Sequence, residues 1–243
     1  MEIGEYGRMF AVEADHFWYQ TLHGHVLRLL QPTSLCSVLD AGCGTGMLAR
    51  RLTDAGYAVT GLDLSPEALR LAKTRRLETL VEGSVNALPF PENSFDAIVS
   101  LDVWYHQAVD DALAACEAAR VVKPGGIVIV NLPAYDWLRG HHDEVVQTAR
   151  RYNRAQVKKL LTSSGLEVRF CSHWNTLLFP AIVAVRLLSR LRKESPRDSS
   201  SDVAPVAPWL NKTLSALLAA ERPLLSLPLP YGLSILAVGR KPK

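Results

Sequence analysis

Val38-Leu39-Asp40-Ala41-Gly42-Cys43-Gly44-Thr45-Gly46 reads as a buried strand that runs straight into a turn with three glycines at alternate positions, and from there into a helix. Glycine lets the backbone take conformations closed to residues with a Cβ and lets a ligand approach the main chain closely, so the stretch predicts an open α/β sheet with a nucleotide-type ligand at its first crossover. About twenty residues on, Val59-Thr60-Gly61-Leu62-Asp63 ends a second apolar run in a carboxylate. That is where such a sheet offers an acceptor to a ribose diol.

Dinucleotide-binding enzymes share this outline, and spacing separates them. Their fingerprint, G-x-G-x-x-G, aims a helix N-terminus at a pyrophosphate. Here the spacing is G-x-G-x-G, and Met47 stands where the third glycine would fall. Asp40, just before the turn, would repel a pyrophosphate and suits a ligand carrying an ammonium group. A nicotinamide-dependent oxidoreductase is therefore the disfavoured alternative.

Around this centre the chain alternates strand and helix. Apolar runs predict strands near 36–40, 58–63, 79–82, 95–101, 126–132, 166–173 and 232–240, with helices near 46–56, 66–76, 110–121 and 153–164. Ser65-Pro66-Glu67 is a helix start, with a capping hydroxyl and proline in the first turn. Residues 6–31 carry apolar side chains at helical spacing and predict one or two helices ahead of the sheet. The expected organisation is an N-terminal helical cap over 1–34, a core over 35–173, a helical insertion over 174–231 and a last core strand within 232–243. The insertion holds an apolar segment over 177–191 followed by Arg192 and Lys193, a polar linker over 195–204, and a second apolar helix over 209–229. It reads first as a hairpin capping the sheet or meeting a second copy in a homodimer, then as a lid over an apolar substrate, and last as a membrane-surface element with its contact at 177–193.

Leu39 to Gly46, Gly61-Leu62-Asp63-Leu64-Ser65, Leu88-Pro89-Phe90, Ser94-Phe95-Asp96 and Lys123-Pro124-Gly125-Gly126 occur in one order over roughly residues 35–133, and together they resemble the class I S-adenosylmethionine-dependent methyltransferases, in particular their type 11-like subgroup. The resemblance implies a Rossmann-like, seven-stranded, mostly parallel sheet with helices on both faces. It also implies S-adenosylmethionine as methyl donor and S-adenosylhomocysteine as product. The backbone at Ala41, Gly42, Gly44 and Gly46 would hold the methionine portion, with Asp40 orienting its ammonium group. Asp63 would accept the ribose hydroxyls, Leu64 would cover the adenine, and Leu101 would join the cofactor-binding set. Family members often carry an acid after the third strand to receive the adenine amino group; this chain has Ser84, so Ser84 Oγ or the Val85 backbone takes that contact.

Methyl transfer needs alignment of donor and acceptor, and a base where the acceptor must lose a proton. His106, beyond the fourth strand, is one candidate base, and His142 in the loop after the fifth is the other. Asp143 could fix the tautomer of His142, and Arg151 could pair with an anionic substrate group or with Asp143. Trp18, Tyr19, Tyr105, Tyr135, Arg151 and Tyr152 are the expected substrate-side residues. Four consecutive bulky side chains, His16 to Tyr19, cannot all face one core on a helix, so at least one is expected to face the cleft.

A formal net charge of +3 over 243 residues gives no nucleic-acid footprint, which points to a small-molecule or lipid-like acceptor. The four cysteines have neither zinc-site nor disulfide-framework spacing, and no metal is expected. The N-terminus lacks a signal-peptide pattern, and no apolar run reaches the ~18 residues of a membrane span, so a cytoplasmic enzyme is expected. The reading is methyl transfer to a small, partly apolar biosynthetic intermediate. A membrane lipid or glycolipid acceptor, or a non-catalytic scaffold that binds the donor, stands as the alternative.

Overall fold

The computed structural model describes residues 3–30, 37–140, 143–144, 146–191, 206–221, 223–224 and 227–243. Seven strands form one sheet: β1 (Ser37–Ala41), β2 (Ala58–Asp63), β3 (Thr79–Glu82), β4 (Phe95–Leu101), β5 (Val122–Pro133), β6 (Glu167–Trp174) and β7 (Ser234–Arg240). Their order is β3-β2-β1-β4-β5-β7-β6, with β7 antiparallel to both of its neighbours and every other pairing parallel. The Rossmann-like sheet expected from the alternation of strands and helices is the observed one. The crossover helices are α3 (Met47–Asp54), α4 (Pro66–Lys73), α5 (Asp111–Val121) and α6 (Arg154–Ser163), preceded by α1 (Ile3–Val12) and α2 (Phe17–Leu30).

Local chemistry accounts for the boundaries. Ser65 Oγ accepts the Ala68 N–H and Asp110 caps Leu113 N, while Asn153 and Gln156 form a reciprocal capping box that starts α6. The β1 strand is fully buried at Val38 and Leu39, as a strand covered by helices on both faces must be. One side of the sheet packs Leu39, Leu62, Ile98, Val128 and Val130 against α5 and α6. The other packs Val38, Ala97, Val99, Ile127 and Ile129 against α2 and α3.

Two boundaries differ from expectation. β5 starts at Val122, not 126, because Val122 already pairs with Phe95 before an irregularity shifts the register to Ala97↔Ile127. The second helix of the insertion, α8 (Pro208–Glu221), stops well short of 229. Pro223 follows closely, and a proline disfavours helix in the residue before it. The first insertion helix, α7, spans Phe179–Leu191. Leu178 and Leu218 are buried in the α2 side of the core, so the insertion is packed onto the sheet's flank at these points. The whole linker, 195–204, lies outside the described residues, as do Cys36, His142, Arg192 and Lys193. No described helix is long and apolar enough to cross a membrane.

Candidate active site

The parallel strands β1, β2 and β4 deliver their carboxyl ends to one edge, where an open α/β sheet binds its ligand. Gly42, Gly44 and Gly46 all have positive φ, at 88°, 54° and 82°. A Cβ on Gly42 would run into Val103 at the end of β4, and one on Gly44 would lie 2.9 Å from Met9 Cε on α1. Three of the loop's N–H groups are spent internally. Gly42 and Cys43 both donate to Leu62 O, at 2.7 and 2.9 Å, and Gly44 donates to Asp63 Oδ2 at 2.8 Å. A phosphate would find no free donors on these three, which agrees with the spacing argument against a dinucleotide.

Asp40 lies beneath this loop, 2% exposed, and its Oδ2 has no hydrogen-bond partner among the described residues. Burial, followed by the charges of Asp63 and Glu13, pushes its carboxyl up to about 8. A buried carboxylate oxygen without a donor is costly, and an ammonium group is the kind of partner that relieves it. Asp63 caps β2 with both oxygens, accepting Gly44 N on one and Ser65 N on the other, and burial raises its pKa. Tyr6 on α1 also lies close to Asp63 and Ser65, so α1 roofs the place expected for the ribose. Arg75 ties this roof down: it pairs with Glu13 at 2.7 Å, donates to Thr45 O at 2.9 Å and stacks over Phe10, while Thr45 bonds Glu13. Tyr6, Glu13 and Arg75 escaped the sequence reading, because nothing in their local pattern says that α1 crosses the glycine loop.

The remaining cofactor candidates fall around the same edge. Ala41 O accepts Ser100 Oγ at 2.7 Å, Leu64 is 60% exposed, Val85 is buried, and Ser84 Oγ accepts Asn86 N at 3.2 Å. Leu101 ends β4 beside the buried Asn131.

The substrate-side candidates divide. Tyr19 is held in a low-dielectric setting near Glu13, Asp102 and Glu5, which raises its pKa, and it is the member of the His16–Tyr19 group that meets the cleft's charges. Trp18 instead stacks at 4.5 Å on Trp174 and packs, partly buried, against the α2-side core. Tyr152 is likewise turned inward: 5% exposed, it donates to Asp111 Oδ2 at 2.7 Å. Arg151 pairs with Asp143 at 2.8 Å and donates to Ala134 O at 3.0 Å, with both ion-pair side chains buried. Of the two partners foreseen for Arg151, the structure shows Asp143. Burial pushes the Asp143 carboxyl up, and the Arg151 bonds and charge more than reverse this, leaving it below its usual range. Tyr135, with φ 57°, stacks on His173 at 5.2 Å, within an aromatic cluster that includes Trp137, Phe179 and Tyr231.

His106 stacks on Tyr105 at 4.5 Å, and burial lowers its pKa to about 4, against a smaller upward pull from the carbonyls of Val146 and Asp102. It is neutral at pH 7 and weakly basic. The residue that the sequence reading passed over is Asp102. It has φ 58°, an uncommon region for a non-glycine residue, and its Oδ1 accepts Asn131 Nδ2 at 2.8 Å. Its signal was present as an acid directly after β4 and as an asparagine inside the otherwise apolar β5.

Comparison with known proteins finds methyltransferases. Residues 39–130 match the family model described as a methyltransferase domain. A demethylmenaquinone methyltransferase of Tropheryma whipplei is 42% identical over 107 residues, covering 42% of this chain and 44% of that protein. A probable S-adenosylmethionine-dependent methyltransferase of Mycolicibacterium smegmatis is 29% identical over 157 residues, covering 63% and 61%. The chain thus spans less than two thirds of the length of these relatives. Among solved structures, the complex between the Haloferax volcanii Trm112 methyltransferase activator and the putative methyltransferase superposes with a TM-score of 0.67 at 22% identity, over 99% of this chain and 95% of that one, a likeness of fold.

Sheet order and glycine loop give the chain the fold of these methyltransferases, and residues 39–130 carry the match to the methyltransferase-domain model.

Proposed function

We propose that the chain binds S-adenosylmethionine at the carboxyl edge of β1, β2 and β4 and transfers its methyl group to a small, partly apolar acceptor. The observation that carries this reading is the orphaned, buried Asp40 Oδ2 beneath a glycine loop that no Cβ could occupy at Gly42. When bound, the donor supplies an electrophilic methyl on a sulfonium. Asp40 is assigned the ammonium, the backbone at Ala41, Gly42, Gly44 and Gly46 the methionine portion, and Asp63 the ribose. Leu64, Ser84, Val85 and Leu101 are assigned the surroundings of the adenosyl group. Tyr19 and Tyr105 line the acceptor side. His106 and Tyr135 shape its wall, while Arg151 holds it through Asp143. The demethylmenaquinone methyltransferase relative supports an acceptor of this small-molecule kind.

A membrane-lipid acceptor is a second reading, favoured by exposed apolar side chains on the insertion: Val185 at 65%, Leu188 at 53% and Trp209 at 71%. One experiment addresses both. The protein is titrated with S-adenosylhomocysteine by calorimetry, then incubated with methyl-labelled S-adenosylmethionine and a source-cell extract split into polar, lipid and macromolecular fractions. Binding followed by label in the polar fraction is the expected result, and label in lipids selects the second reading. Binding without label in any fraction leaves a scaffold, and absence of binding removes the methyltransferase reading.

A further inference from the structure

We propose that Asp102 is the residue that holds the acceptor and takes its proton, and that the acceptor is a phenolic or enolic hydroxyl. The proposal rests on the methyltransferase reading and deepens it. β4 runs parallel to β1 with Asp40 opposite Val99, so Asp102 lies just past the strand end, on the same edge as the glycine loop. Its neighbour Val103 abuts Gly42, which sets Asp102 beside the assigned place of the methionine portion.

The carboxyl is aimed by a relay with a single polarity. Trp174 Nε1, a donor only, gives its hydrogen to Asn131 Oδ1 at 2.7 Å. That fixes the amide's orientation and turns Asn131 Nδ2 onto Asp102 Oδ1 at 2.8 Å, while Asp102 N donates to Asn131 O at 3.0 Å. The backbone at Asp102 is held in the left-handed region, which persists where the surroundings demand it. A half-buried carboxyl so aimed, with Oδ2 taking no hydrogen bond among the described residues, is an acceptor awaiting a donor. Four groups face Asp102 from the elements around it. Arg151, already neutralised by Asp143, favours its charged form; Tyr19 and Tyr105 are uncharged; and the neutral His106 contacts its backbone carbonyl. Burial raises the Asp102 carboxyl to about 7, in the range of a useful base at neutral pH.

An acceptor carboxylate would be repelled here, and a free amine needs no base for its attack. For a hydroxyl the step balances. The acceptor oxygen forms a bond to the methyl carbon as the carbon–sulfur bond breaks, and that electron pair stays on sulfur, giving a neutral thioether. The hydroxyl proton passes to Asp102, so one sulfonium and one carboxylate become two neutral groups.

The test uses the full chain, methyl-labelled S-adenosylmethionine and source-cell extract, comparing wild type, Asp102→Asn and His106→Gln. Asp102→Asn keeps an oxygen for Asn131, so S-adenosylhomocysteine affinity within threefold of wild type is expected and shows an intact fold and donor site. Labelled wild-type product is expected to withstand mild alkali and to release volatile methyl iodide in hot hydriodic acid, as an aryl or enol ether does. Labelling by wild type should rise with pH through about 7. Asp102→Asn should label at least about 100-fold more slowly, without that rise. The proposal is overturned if label sits on nitrogen or in an alkali-labile ester, if no extract component takes label while S-adenosylhomocysteine binds, or if Asp102→Asn keeps rate and pH profile while His106→Gln loses them. Failure to bind S-adenosylhomocysteine overturns the methyltransferase reading instead.

Discussion

The edge formed by β1 and β2 and the segment from Gly140 to Tyr152 are both rich in polar side chains, yet the two are finished to different degrees. In the segment, Arg151 meets Asp143 and Ala134 O, Tyr152 meets Asp111, and Gly140 N closes onto Asp143 Oδ2. At the edge, Asp40 Oδ2 is buried without a partner among the described residues and three glycines hold positive φ. A saturated polar cluster acts as a clamp, since its bonds are already made within the fold. An unsaturated one costs stability and is retained where a ligand completes it.

The largest effect expected from this contrast is on the clamp. Arg151→Ala leaves the Asp143 carboxylate buried and uncompensated, which should cost about 3–5 kcal/mol of unfolding free energy in urea. S-adenosylhomocysteine affinity should stay within threefold wherever the variant is folded. A variant of normal stability that loses turnover would break the contrast and return Arg151 to the substrate.

Gly42→Ala forces a Cβ into Val103 at φ 88° and should weaken S-adenosylhomocysteine binding by about 100-fold, roughly 2.7 kcal/mol, in calorimetry. Asp40→Asn should cost about tenfold in the same measurement, with the opposite sign for stability. The native Asp40 pKa of about 8 lies above its unfolded value of about 4, so the ligand-free protein loses stability as pH rises between the two. The asparagine variant should escape that loss and melt higher than wild type at pH 8; equal melting temperatures would mean that Asp40 is satisfied. The smallest effect is that of Tyr152→Phe, about 0.5–1.5 kcal/mol from one lost hydrogen bond, with donor binding unchanged.

The sheet was legible because its signals are local: a strand, a glycine turn, an acid at the next strand's end, and caps at Ser65, Asp110 and Asn153. Strand ends agree to within about two residues except at β5, whose early start depends on pairing with Phe95 and not on its own sequence. The glycine loop and Asp63 at the sheet's edge were legible for the same reason. The acceptor side was not, since it depends on which way side chains turn once helices pack. Tyr152 went inward although its sequence looks like a cleft lining. Asp102 became prominent only through Asn131 and Trp174, 29 and 72 positions away by residue number.

Trp174 and Ser234 face each other across the β6–β7 pairing, so the insertion leaves and re-enters the sheet at adjacent points. Such a junction makes the segment an exchangeable cassette. Its length and sequence can drift over generations while strand register and the glycine-loop edge stay as they are, because closing a longer loop between neighbouring ends adds little entropy cost. The anchors at Leu178 and Leu218 are what a replacement cassette would have to reproduce.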